Sequence, residues 1–181
     1  MPSSSDWLSV TYGNGKFVAI ANNSNQSAYS EDGINWTSST MPSSRLWESV
    51  IYGNEKFVAV AYDSNQAAYS EDGISWTSST MPSSSDWQSV TCGNGKFVAI
   101  AINSNQAAYS EDGINWTQLT IPGSAVWKSV IYGNGKFVVV AYNSNQSAYS
   151  EDGINWTQTT MPSSSDWQSV TYGNGKFVVV A

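Results

Sequence analysis

Trp7-Leu8-Ser9-Val10-Thr11-Tyr12-Gly13-Asn14-Gly15-Lys16-Phe17-Val18-Ala19-Ile20-Ala21 reads as two short strands and the turn between them. Trp7 to Tyr12 is aromatic and β-branched, which suits a pleated, half-buried surface. Asn14-Gly15 tolerates two successive positive φ angles, the geometry of a tight hairpin. Phe17 to Ala21 is a short apolar run, fit for a strand buried on both faces. Outward from this hairpin, Met1 to Asp6 is rich in turn formers and reads as a loop. Asn22 to Asn25 is a second turn and Gln26 to Ser30 a third strand. Glu31-Asp32-Gly33 turns the chain again, and Ile34 to Ser38 is expected to be the fourth strand. No segment between turn signals reaches helical length.

The same unit then recurs. Trp7, Trp47, Trp87, Trp127 and Trp167 are spaced by 40 residues, as are Trp36, Trp76, Trp116 and Trp156, and together they are all nine tryptophans. Every phenylalanine and every proline falls into one further series of the same period. The units run 1-40, 41-80, 81-120 and 121-160, and 161-181 matches the first half of another. A tandem four-stranded antiparallel unit of this length predicts an all-β fold, a β-propeller rather than a β-solenoid, whose coils are shorter and lack repeated hairpins. The expected organisation is one propeller domain over 1-181, with four and a half blades in the chain. The tryptophans are expected to fill the wedges between blades. Each buries roughly 150–250 Å², or about 4–6 kcal/mol gross by area, before conformational entropy is subtracted.

Composition narrows the function. Only 12% of residues are charged while 13% are aromatic, the signature of a packed chain. The net charge of -7 and a single arginine, Arg45, repel a phosphate backbone, so no nucleic-acid partner is expected. The same charge disfavours anionic membrane surfaces, and no apolar run is long enough for a span. No signal peptide is visible. Cys92 stands where the other units carry Tyr12, Tyr52, Tyr132 and Tyr172, and reads as an incidental replacement on a strand. There is no histidine, hence neither the usual general base nor the commonest zinc ligand.

Ser30-Glu31-Asp32-Gly33-Ile34-Asn35-Trp36 resembles the Asp-box of BNR and sialidase-type propeller repeats, Ser/Thr-x-Asp-x-Gly-x-x-Trp, with Gly one residue nearer to Asp. It recurs with Ser70, Asp72, Gly73 and Trp76, with Ser110, Asp112, Gly113 and Trp116, and with Ser150, Asp152, Gly153 and Trp156. The flanking Tyr-Gly-Asn-Gly-Lys-Phe-Val pattern is similar to bacterial repeat proteins of this kind. The resemblance implies a propeller in which these boxes are structural and lie away from any catalytic site. Independently, Asp and Ser side chains can bond their own turn, and Gly supplies a conformation that a Cβ obstructs. Two adjacent carboxylates, Glu31 and Asp32, are too few for a calcium site and lack EF-hand spacing, so no metal or cofactor is expected.

Sialidases resembling this repeat hold the substrate carboxylate with an arginine triad, and this chain has only Arg45. Asp6, Glu48, Asp86 and Asp166 are carboxylates on loops, but no sequence feature pairs them as glycosidases require. A serine nucleophile has no histidine to activate it, and no phosphate loop is present. The expectation is therefore a chain that is not an enzyme.

Differences among the units cluster. One variable segment, expected to be the loop joining the fourth strand to the next unit, reads Asp6-Trp7-Leu8, Leu46-Trp47-Glu48, Asp86-Trp87-Gln88 and Val126-Trp127-Lys128. The other, after the second strand, begins Asn22-Asn23, Tyr62-Asp63, Ile102-Asn103 and Tyr142-Asn143. In a propeller both emerge on one face, and the near-invariant turns on the other. This reads as drift on solvated loops or as a recognition face. The speculative ligand-binding set is Trp7, Asn25 and Gln26 with their counterparts Trp47, Asn65, Gln66, Trp87, Asn105, Gln106, Trp127, Asn145 and Gln146. Amides beside aromatic rings suit a carbohydrate, one shallow site per blade, or a protein ligand. The amides equally suit backbone groups of their own loops.

The half unit supplies two strands, and its exposed edge invites pairing with another chain, so a homo-oligomer is expected. Three functional readings follow: a non-catalytic binding or scaffold module, as in a bacterial surface or phage-like protein; a lectin; and an engineered or truncated repeat fragment with no ligand.

Overall fold

The computed structural model describes residues 1–181, apart from the side chain of Ser124. Every regular element is a strand. The first sheet holds β1 (Trp7–Gly13), β2 (Lys16–Ala21), β3 (Ser24–Ser30) and the start of β4 (Thr37–Gly53). The second holds the end of β4 with β5 (Lys56–Tyr62), β6 (Ser64–Ser70) and β7 (Thr77–Ser85). The third holds β8 (Trp87–Gly93), β9 (Lys96–Ala101), β10 (Ser104–Ser110) and the start of β11 (Thr117–Gly133). The fourth holds the end of β11 with β12 (Lys136–Tyr142), β13 (Ser144–Ser150) and β14 (Thr157–Ser165). β15 (Ser169–Gly173) and β16 (Lys176–Val180) form a two-stranded sheet. All pairings within these sheets are antiparallel between sequence neighbours.

The hairpins form as their residues dictate. Asn14 and Gly15 sit at φ 47° and 73°, both positive as a primed turn requires. In the second sheet Glu55 takes the glycine's place at φ 62°, a conformation that a Cβ disfavours.

The fourth strand departs from expectation. It begins at Thr37, not Ile34, and in β4 and β11 it runs without a break into the first strand of the next sheet. Ile34 and Asn35 are withdrawn from the ladder because their amides bond the Asp32 carboxylate, at 2.8 and 2.7 Å. The segment read as a loop is instead a strand carrying a wide irregularity. Gln26 pairs Thr40 while Ser24 pairs Arg45, so Met41 to Ser44 are extra residues in the bulge, with Met41 turned into the core. Pro42 is tolerated there because a bulged residue owes no ladder hydrogen bond.

The core lies between sheets. Ile20 and Met41 of the first meet Trp47, Val50, Ala59, Ala61 and Ala68 of the second. The same pattern recurs with Val60 and Met81 against Trp87, and with Ile100 and Ile121 against Trp127. Successive first strands adjoin around the axis, where each would leave an unpaired edge. Serine hydroxyls cover those edges. The Val50, Val90, Val130 and Val170 amides donate to Ser9, Ser49, Ser89 and Ser129 at 3.1 to 3.4 Å. Beside them, Tyr52, Cys92, Tyr132 and Tyr172 lie on Gly13, Gly53, Gly93 and Gly133, where a Cβ would fall within 2.2 Å of a side-chain atom. Cys92 is thus a wedge residue, and burial pushes its thiol up to about 11.

Candidate functional site on the variable rim

The two rims of the array are chemically distinct. On one, the hairpin turns reach the acidic turns of the next sheet. Asn14, Asn54 and Asn94 donate to the carbonyls of Glu71, Glu111 and Glu151 at 3.3, 3.3 and 3.4 Å. Within each acidic turn the aspartate is consumed by its own loop. Asp112 Oδ1 accepts from Ser110 Oγ at 2.9 Å, from the Ile114 amide at 2.9 Å and from the Asn115 amide at 2.8 Å. Asp32 is held well below the usual carboxylate range, first by the Asn35 amide, then by the Asn35 side chain, the Ile34 amide and Ser30. Burial pushes Asp72 up, but the Ser75 and Ile74 amides and the Ser70 hydroxyl outweigh it and leave it at about 2. Gly33, Gly73, Gly113 and Gly153 lie between φ 73° and 77°, which explains the glycine at each turn. Trp36 donates its Nε1 proton to Gly33 O at 3.2 Å. Oδ1 of each of these aspartates is held by its own turn, and among the described residues no group of three or more His, Cys, Asp or Glu side chains could hold a metal ion.

On the other rim the sheets are joined by side chains that differ from unit to unit. The register of β1 on β2 shifts between Trp7 and Ser9, which makes Leu8 a bulged residue. Glu48, Gln88 and Lys128 occupy the same bulge in the next three sheets. A bulge re-aims its side chain out of the ladder. The three consequently form a polar chain from sheet to sheet. Lys128 Nζ donates to Gln88 Oε1 at 3.4 Å, and Gln88 Nε2 donates to Glu48 Oε1 at 2.6 Å. Asn22 Nδ2, from the turn after β2, donates to Glu48 Oε2 at 3.3 Å and to Trp47 O at 3.4 Å. Tyr62 joins them: burial first, then a hydrogen bond to Asp86 and the charges of Asp86, Asp63 and Glu48, raise its hydroxyl. The cluster offers donors, acceptors and both signs of charge within one patch, the means to orient a polar ligand.

The residues anticipated from the sequence fall elsewhere on this rim. Trp47, Trp87 and Trp127 are 0% exposed and belong to the wedges. Trp7, with no sheet before it, is half-buried. Asn25, Asn65, Asn105 and Asn145 are exposed, and Gln26, Gln66, Gln106 and Gln146 half-buried beside them. Three of the glutamines brace the segment that leads into the first strand of their own sheet. Gln66 Oε1 accepts from Ser43 Oγ at 2.7 Å and from Arg45 Nε at 3.0 Å. Gln26 and Gln106 accept from Ser5 at 2.6 Å and Ser83 at 2.9 Å. Gln146, where Gly123 replaces the serine, accepts from Gln158 at 3.4 Å. The polar chain itself was readable as variation at a fixed phase of the 40-residue period; the bulge that gathers it was not.

Solved structures share this architecture. Streptogramin B lyase aligns over 98% of this chain and 63% of its own, with TM-score 0.86 and 13% identity. Catalytically inactive virginiamycin B lyase from Staphylococcus aureus with quinupristin aligns over 97% and 63%, at 0.86 and 14%. YCF48 bound to D1 peptide aligns over 96% and 59%, at 0.72 and 16%. The fold is a β-propeller. The chain spans less than two thirds of the length of each of these proteins. At these identities the likeness is one of architecture. No family model and no curated protein matches the chain, so the Asp-box resemblance rests on its own residues. The expectation that the chain is not an enzyme is corrected: a lyase shares the fold of nearly the whole of this chain. Missing catalytic motifs known from other folds do not make a propeller non-catalytic, because function resides in the site and not in the fold.

Proposed function

We propose that this chain is a propeller binding module that takes a protein segment on its variable rim and self-associates through its terminal two-stranded sheet. The observation that carries the first part is the chain Asn22–Glu48–Gln88–Lys128, which crosses four sheets and uses a different side chain in each. An extended peptide presents alternating amide donors and acceptors, which carboxamide side chains match in both senses. Glu48 and Lys128, the two charged members on either side of Gln88, set the direction of a bound segment. YCF48, solved with a peptide, is a propeller of similar shape. The test is selection from a random peptide library on the intact chain, followed by affinity measurement. Glu48→Ala is expected to weaken the selected peptides at least tenfold, on the order of 1.4 kcal/mol. Peptides bound equally by both proteins, or none selected, would count against the reading.

A second reading is a lectin. Its support is a cleft beside the first sheet lined by Trp7, Asn25, Gln26, Ser38, Ser39 and Thr40, an indole next to amides and hydroxyls. Binding on a glycan array, lost in Asn25→Ala, would favour it.

A further inference from the structure

The array begins and ends on faces that match each other. Within the chain, each sheet covers the leading face of the next by the same four devices. A valine amide donates to a serine hydroxyl of the preceding first strand. An aromatic ring or Cys92 rests on a preceding glycine. A hairpin asparagine reaches the carbonyl of the next acidic turn, 57 residues on. A preceding valine packs on the glycine of that turn, as Val18 does at Gly73, Val58 at Gly113 and Val98 at Gly153.

The first sheet receives none of this. Val10 is 60% exposed, whereas Val50, Val90, Val130 and Val170 in the same position are 4% exposed. Tyr12 is 59% exposed, and beside Gly33 only Phe17 of its own sheet approaches. The last sheet offers each missing piece. Ser169 is exposed, a Cβ at Gly173 meets nothing within 4 Å, and Asn174 is exposed. Val178 and Val180 are 51% and 55% exposed, while Val18 and Ile20 in their positions are 0%.

We infer that the terminal two-stranded sheet of one copy docks on the first sheet of a second copy, head to tail. This rests on the self-association proposed above and specifies the surfaces it uses. Ser169 accepts from the second copy's Val10 amide, and Tyr12 of that copy settles on Gly173. Asn174 reaches its Glu31 carbonyl, and Val178 packs on its Gly33. Val180 meets Trp7 and Val10, as Ile20 meets Trp47 and Val50. Four repetitions of the first two devices within the chain, and three of the others, are the argument for this occupant. The contact covers the inner half of the leading face, since β15 and β16 have no third or fourth strand beside them. It is heterologous, joining two different surfaces, and therefore extends into a ring or an open chain.

The test is light scattering coupled to size exclusion across a concentration series, using the 181-residue chain and two variants. Gly173→Leu blocks the tail and leaves the sheet intact, because nothing lies within 4 Å of that position. Val10→Lys blocks the head at an exposed site. The unsubstituted chain is expected to exceed its monomer mass of 19.6 kDa as concentration rises. Each variant alone is expected to stay monomeric. A mixture of the two joins the free tail of the Val10→Lys chain to the free head of the Gly173→Leu chain and is expected to give pairs that grow no further. Association of the unsubstituted chain that neither variant affects would overturn the docking surfaces and leave self-association standing. A monomer at every concentration would overturn both.

Discussion

The two rims of the propeller are made from the same strands yet treat their side chains in opposite ways. On the rim of acidic turns, Asp32, Asp72, Asp112 and Asp152 each accept from the serine and two amides of their own loop, and the glycine after each has nearly the same positive φ. On the other rim, Leu8, Glu48, Gln88 and Lys128 share a backbone position and nothing else. Invariance goes with side chains that complete their own turn. Diversity is tolerated where the bulge has already freed the side chain from the ladder. The acidic rim therefore holds stability, and the variable rim is free to change its side chains from sheet to sheet.

The most severe way to break this contrast is Gly113→Val. The position is at φ 73°, and a Cβ would come within 2.6 Å of Val58 Cγ2. Backbone strain and overpacking add, for an expected loss of about 3–5 kcal/mol in urea unfolding. Asp112→Ala removes the acceptor of two amides and two side chains, and should cost about 1–3 kcal/mol by the same measurement. Acid should weaken the same rim. These aspartates titrate lower folded than unfolded, so their contribution is complete above the unfolded value of about 4. It is lost as pH falls through the folded values, about 2 for Asp72. Tryptophan fluorescence should report falling stability between about pH 4 and pH 2, a slope that Asp112→Ala makes shallower. Glu55→Gly restores the glycine found at Gly15, Gly95, Gly135 and Gly175 and should stabilise by about 1 kcal/mol. Smallest in stability is Glu48→Gln on the variable rim, expected within about 0.5 kcal/mol of the unsubstituted chain. A large loss there would erase the division between the rims.

Much of the fold was legible because one unit is written four times. Asn14-Gly15 and its counterparts fixed the hairpins, and the tryptophan phases fixed the period. The start of the fourth strand was missed at Ile34 because a side-chain carboxylate outcompetes the ladder for two amides, a contest that local propensity does not reveal. The run through Pro42 looked like a loop because turn-forming residues also populate bulges. Of the rim residues, the glutamines were legible as polar but not as braces for Ser43 and Ser83, which lie 23 residues away. The tryptophans could have stacked on a ligand or filled a wedge; only the preceding sheet, which leaves Trp47 0% exposed, decides. Glu48, Gln88 and Lys128 became one continuous polar chain only when the bulge turned each of them out of its ladder.

β4 and β11 each carry the chain unbroken from the outside of one sheet to the axis of the next, whereas the passage from the second sheet to the third breaks at Asp86. The four complete sheets are thus two doublets, each sharing one long strand, with a one-residue break between them. At that break the Asp86 carbonyl still accepts from the Ile102 amide, at 2.9 Å. The backbone thus repeats once for every two copies of the sequence unit, a longer period than the tryptophans mark.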